Sequence, residues 1–174
     1  MKKNVVKSIV AIGIGAALFF VLGRFVAIPS PVPNTNISTQ YGLLAFLACV
    51  YGPVVGALAG LIGHALIDFS YGWGIWWSWV IASAVFGLLV GLFSLKKKTV
   101  ASLNISQVIA HAIAWIGVAP VLDIVMYAEP VDKIFLQGAV AAVANIVTTA
   151  IIATLLLLAY NATKPKAGSL KKEK

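Results

Sequence analysis

The sequence predicts an all-α integral membrane protein, with six transmembrane helices in one bundle and both termini cytoplasmic. Three observations predict it. The 174 residues are 61% hydrophobic and 10% charged, with a mean hydropathy of +0.99, whereas soluble domains run about half apolar and about a quarter charged. Eleven of the 13 basic residues fall in three clusters, Lys2, Lys3 and Lys7, then Lys96, Lys97 and Lys98, then Lys164, Lys166, Lys171, Lys172 and Lys174. Each cluster flanks an apolar span, the pattern of cytoplasmic helix ends. Finally, proline and glycine breaks divide the apolar sequence into segments, several of them near the roughly 20 residues that cross a bilayer core.

The first helix is expected over Val5–Val26. Its start, lysines before an apolar run, has the outline of a signal peptide. No small-x-small cleavage site precedes a polar mature start, so it is read as the first span. The stretch "AIPSPVPNTNIST" follows, and three prolines in five residues exclude a helix there. Gln40–Tyr51 is apolar but short for a crossing, and "YGP" at 51–53 ends it. Later helices are expected over Pro53–Phe69, Ile75–Leu95, Ser106–Tyr127 and Val131–Tyr160, with Asp132 as a cap for the last. Residues 1–163 form one membrane domain and 164–174 a basic cytoplasmic tail.

Six crossings place all three lysine clusters on one side, whereas five would divide them, against the positive-inside rule. Asp68, Asp123, Glu129 and Asp132 then lie at or near the external face. This segregation explains the net charge of +8 without invoking nucleic acid. The single cysteine, Cys49, permits no disulfide within the chain.

Between residues 52 and 79 an oily, glycine-spaced helix becomes chemically rich. Gly52, Gly56, Gly60, His64 and Asp68 are spaced by four, and Trp79, Ser83, Gly87 and Gly91 form a matching series on the next helix. At 3.6 residues per turn, each step of four drifts about 40°, so Gly60, His64 and Asp68 share a face. Small residues let membrane helices approach closely. The glycine ends should therefore pack tightly while the aromatic ends splay, leaving a cup open to the outside. Candidate lining residues are Asn36, Gln40, Tyr41, His64, Asp68, Trp76, Trp77, Trp79 and Asp123. Asn34, Thr39, Tyr127, Gln137 and Asn145 approach the same zone. Each has a plainer alternative. Tryptophans at helix ends anchor in the interface, an interfacial Asp68 can be merely solvated, and His64 can bond to a neighbouring helix. His111, on the cytoplasmic half of its helix, is read as structural.

The chain carries no G-x-x-x-x-G-K-[ST], no H-E-x-x-H and no G-x-S-x-G. His64 and Asp68 alone do not make a specific metal site, and no cofactor is expected. A small pocket protein without an ATP-binding motif needs a partner that has one.

The run "GRFVAIPSPVPNTNISTQYGLLAFLACVYGPVVGALAGLIGHALIDF" resembles the substrate-binding S component of energy-coupling factor (ECF) transporters. It is similar to the riboflavin-type S-component family, including members assigned to hydroxymethylpyrimidine or vitamin B6. The likeness covers most of residues 9–160. It implies a six-helix fold in the cell membrane and an external vitamin pocket capped by the loop between the first two helices. It further implies a membrane scaffold, EcfT, and two cytoplasmic ABC-type ATPases, with no catalysis by this chain. A family alanine-x-x-x-alanine pair on the first helix docks on EcfT. Here the matches are Ala11-x-x-x-Gly15 and, beside it, Gly13-x-x-x-Ala17. Intramolecular helix packing is the alternative use of these four residues. The aromatic rim and the carboxylates point to a flat nitrogen ring, pyridoxine or hydroxymethylpyrimidine ahead of riboflavin, unphosphorylated. The rival readings are a small regulatory or assembly subunit without a ligand, and an intramembrane enzyme using His64 and Asp68.

Overall fold

The computed structural model describes residues 2–72 and 74–164. Six helices account for most of it: α1 Lys2–Phe25, α2 Gln40–Tyr51, α3 Pro53–Tyr71, α4 Trp77–Phe93, α5 Val100–Tyr127 and α6 Val131–Ala162. Four of them contain spans long and apolar enough to cross a membrane, Val5–Phe25, Pro53–Tyr71, Val100–Tyr127 and Val131–Ala162, while α2 and α4 are shorter apolar helices. The all-helical class is as expected, apart from a two-stranded hairpin in the α1–α2 loop, β1 Ile28–Pro29 paired antiparallel with β2 Asn36–Ile37.

The brevity of α2 has a packing explanation. It contacts every other helix, and its residues from Gln40 to Ala45 are all buried, as are Leu47, Ala48 and Cys49. A helix apolar on every side is one surrounded by protein. The outward faces of its neighbours carry exposed apolar side chains, such as Ile9 and Ile14 on α1 and Val143 and Ile151 on α6.

The glycine series on α3 and α4 pack antiparallel as their spacing predicts. A Cβ at Gly56 would sit 2.5 Å from the Gly87 carbonyl oxygen, and one at Gly60 would sit 2.7 Å from the Ser83 carbonyl oxygen. Gly91 lies against Pro53 in the same way. This is the most extensive helix pair in the fold. At the same end of the bundle, Lys98 Nζ donates to the Val50 carbonyl at 2.7 Å and closes the end of α2.

Three helix starts or ends and one expected cap differ from expectation for a local reason. The third helix continues to Tyr71, where Gly72 stops it in the left-handed conformation, φ 83°. The fourth begins at Trp77 rather than Ile75, with Trp76 as its N-cap. The fifth begins at Val100 rather than Ser106, because the Thr99 hydroxyl accepts from the Ser102 N–H at 3.2 Å. Asp132 does not cap the last helix. Pro130 takes that position, and Asp132 lies in the first turn. Of the expected basic tail, residues 165–174 lie outside the described residues, as does Trp73.

Within α5 the backbone passes from α-helix to a π-helical segment, Ile113–Val118, then back to α-helix at Ala119. Pro120 has no N–H to return to the carbonyl four residues earlier, so the regular ladder is interrupted at this point. Gly138 on α6 accommodates the change: a Cβ there would collide with the Trp115 carbonyl oxygen.

Candidate functional site

A cavity of about 590 Å³ lies at the end of the bundle that carries the hairpin and the turns following α3 and α5. That is the end away from Lys96–Lys98, where the glycine pairs hold α3 and α4 together. The volume falls within the ~300–1,000 Å³ range of small-molecule sites.

The cavity floor is built around Tyr41, at the start of the buried helix α2. Its ring meets those of Phe19, Phe86, His111 and Trp115 edge-on, with centroids 5.3–5.6 Å away, the arrangement that ring quadrupoles favour. The hydroxyl lies 2.8 Å from Ser83 Oγ, which is itself 2.5 Å from His64 Nδ1. His64 therefore does bond to a neighbouring helix. Its Nε2 lies 3.7 Å from Asp68 Oδ1, beyond hydrogen-bond range. Asp68 Oδ2 accepts the Trp76 N–H at 2.9 Å and so fixes the chain where α4 begins.

One wall is aromatic. The indole N–H groups of Trp76 and Trp79 donate to Asp123 Oδ1 and Oδ2 at 2.7 and 2.8 Å, and the Ser78 hydroxyl also donates to Oδ1. Trp76 stacks on Tyr127, with centroids 4.0 Å apart. Trp115, in the π-helical segment, is fully buried and donates its N–H to His111 Nδ1 at 2.9 Å. An indole can only donate. The His111 proton is therefore on Nε2, which donates to Thr149 Oγ1 at 3.0 Å. His111 is structural, as expected, and what it supports is a cavity-lining ring.

The opposite wall and roof come from the α1–α2 loop, tied down by α6. Asn145 Oδ1 accepts the Ser38 N–H at 2.9 Å, the Thr148 hydroxyl donates to the Ser38 carbonyl at 2.8 Å, and Gln137 Nε2 donates to the Pro33 carbonyl at 2.8 Å. These bonds place Asn34, Asn36 and Ser38 on the cavity. At the rim, Lys133 Nζ pairs with Glu129 at 2.6 Å.

The structure thus brings Asn36, Gln40, Tyr41, His64, Asp68, Trp76, Trp79 and Asp123 to one cavity. It leaves Trp77 off it, 45% exposed, its backbone N–H bonded to the Tyr127 hydroxyl. Sequence reasoning missed Trp115, Ser38 and Lys133. A tryptophan in mid-span was a usable signal for the first, since interfacial anchoring does not apply there. Arg24, which by sequence sits near the external surface, lies over the Tyr71 ring at 4.3 Å and is not among the residues lining the cavity.

The first helix separates the two small-residue pairs. A Cβ at Gly15 would meet Leu47 Cδ1 at 2.7 Å and Ala59 Cβ at 3.3 Å, whereas one at Gly13 meets nothing within 4 Å. Gly15 serves packing inside the bundle. Ala11 is half-buried, and Gly13 and Ala17 face outward.

Among known proteins, the family described as "ECF-type riboflavin transporter, S component" matches residues 3–162. Relatives named UPF0397 protein are similar over nearly their full length. That of Lactobacillus johnsonii is 50% identical, covering 97% of this chain and 96% of the relative. That of Exiguobacterium sp. is also 50% identical, covering 99% and 100%. That of Staphylococcus aureus is 48% identical, covering 97% and 96%. A helical bundle with a polar-aromatic cavity at one end and a family match over nearly the whole chain lead to one conclusion: this chain belongs to the family of ECF-type riboflavin transporter S components.

Proposed function

We propose that this multi-pass membrane protein binds a flat, nitrogen-containing ring vitamin in the cavity between the α1–α2 loop and the tryptophan wall. Family membership makes it a substrate-binding transporter subunit, and the cavity supplies the place. The observation that carries the ligand class is the convergence of Trp76 and Trp79, the latter backed by the buried Trp115, on a cavity that also holds Asp68, Asn36 and Gln40. Ring faces take a flat ring by stacking, worth about 0.5–1.5 kcal/mol per pair beyond burial. Asp68 accepts from a ring N–H or amine, and the amides take hydroxyl groups. Pyridoxine and hydroxymethylpyrimidine match this set. Riboflavin, which the family description names, is the alternative, and the cavity volume admits it. Among the described residues, Lys133 is the one lysine or arginine on the cavity lining and is already paired with Glu129, so a phosphate ester meets acids rather than a free cation.

The chain crosses the membrane six times, with both termini and Lys96–Lys98 cytoplasmic and the cavity external. Residues 1–163 form the membrane domain and 164–174 a cytoplasmic tail. Uptake is driven by two ABC-type ATPases through the scaffold EcfT, which docks on the outward face of α1 that carries Gly13 and Ala17. The chain itself does no chemistry and needs no cofactor. Mass spectrometry of small molecules released from the purified protein tests the binding role. A stoichiometric ring vitamin is expected. A protein that purifies empty and binds no ring compound would instead be a subunit without a ligand.

A further inference from the structure

Among the described residues, the three indoles on the cavity have no N–H left to offer a ligand. Each indole carries a single donor, and all three donors go to Asp123 or His111. Asp123 is only 2% exposed, and its carboxylate receives three donors, two indoles and the Ser78 hydroxyl. An ionised carboxylate has about four acceptor sites, so most of its capacity is spent inside the protein. All three donors come from the start of α4, where the N-terminal dipole also favours a negative charge. Asp68 differs: one oxygen takes a backbone N–H, and among the described residues the other has only His64 at 3.7 Å.

We infer that Asp123 is a positioning residue, which locks the Trp76 and Trp79 rings into the cavity wall and ties α4 to α5, and that Asp68 is the carboxylate that meets the ligand. This rests on the reading of the cavity as the vitamin site. It changes what Asp123 contributes. Selectivity for a positively charged or N–H-bearing ring comes from Asp68, and the shape of the ring slot comes from Asp123.

Removing the partners of Asp123 should reverse the sign of its effect. In the native protein, Asp123→Asn replaces an acceptor by an amide group that opposes an indole N–H, and stability falls. In a Trp76→Phe/Trp79→Phe background, the same carboxylate is buried with one hydroxyl donor, and neutralising it relieves an uncompensated charge.

The test is a thermal-unfolding cycle on the full chain in lipid nanodiscs without ligand. Asp123→Asn should lower the midpoint by about 4 °C or more in the native background, and leave it unchanged or raise it in the double-Phe background. An equal loss in both backgrounds overturns the inference. If Asp123→Asn does not fold in the native background, its folding in the double-Phe background supports the inference equally, and failure in both overturns it. Binding of net-neutral pyridoxine and cationic pyridoxamine gives the second reading. Asp123→Asn should weaken both by a similar factor, about tenfold, while Asp68→Asn weakens pyridoxamine more. Selective loss of pyridoxamine in Asp123→Asn overturns the assignment. If the native protein binds neither compound, the vitamin reading has failed for these ligands, and the unfolding cycle still decides the role of Asp123.

Discussion

At the scale of single residues, the site separates side chains that face the cavity from those that hold them. Trp77 and Trp79 are two positions apart on α4, yet Trp79 bonds to Asp123 and lies tilted against Trp115 with centroids 5.2 Å apart, while Trp77 is 45% exposed. Trp79→Ala should therefore weaken ring binding at least tenfold, since roughly 1.4 kcal/mol suffices for that factor, while Trp77→Ala leaves it within about twofold. Calorimetry on the two variants checks this, and equal losses would return both rings to a common role. His111→Phe should act at a distance. It leaves the Trp115 N–H and the Thr149 hydroxyl without their bonds, at about 1–3 kcal/mol per buried group, and a fall in both the unfolding midpoint and ring affinity is expected. Residue types near the cavity were legible from the sequence because polar and aromatic side chains are rare in an apolar span and stand out. Their roles were not. Whether an aspartate faces a ligand or an indole depends on helix rotation and on which neighbour lies opposite.

Among the elements, the α3–α4 pair was the most legible. Small residues at intervals of four on both helices dictate close approach, and Gly56 and Gly87 meet as that pattern requires. Gly87→Ala would drive a methyl group into the Gly56 backbone. It should cost about 1–3 kcal/mol, read as a lower unfolding midpoint, and an unchanged midpoint would show that the two backbones can move apart freely. On α1 the two small pairs overlap in sequence, and only the fold separates them. Gly15→Leu should damage the bundle itself through Leu47 and Ala59. Gly13→Leu and Ala17→Leu should leave ligand binding intact and abolish uptake when EcfT and the ATPases are present. Normal uptake in both variants would move the docking surface off this face. The start of α5 was placed six residues late, at Ser106 rather than Val100, although Thr99 supplies a cap. The π-helical segment around Trp115 has no periodicity of its own to announce it.

For the whole molecule, the fold concentrates tight backbone packing at the end that carries Lys98 and leaves a cavity at the other. The proposed orientation rests on the lysine clusters, and labelling tests it. With Cys49 replaced, a cysteine at Ser70 should react with an impermeant reagent on intact cells, and one at Ser102 should not. The reverse pattern would turn the cavity toward the cytoplasm and exclude uptake from outside. The bundle was legible because hydropathy and charge asymmetry act over whole segments. The roof was less so, because it depends on α6 side chains some hundred residues from the loop they hold, as in the Asn145–Ser38 and Thr148–Ser38 bonds. The central claim is that this cavity holds an unphosphorylated ring vitamin, and titration calorimetry with pyridoxine, hydroxymethylpyrimidine, riboflavin and pyridoxal phosphate tests it most directly. Tight one-to-one binding of a free ring compound, weakened about tenfold or more by Asp68→Asn, is the predicted result. Preferred binding of the phosphate ester, or no binding of any of the four, would contradict it.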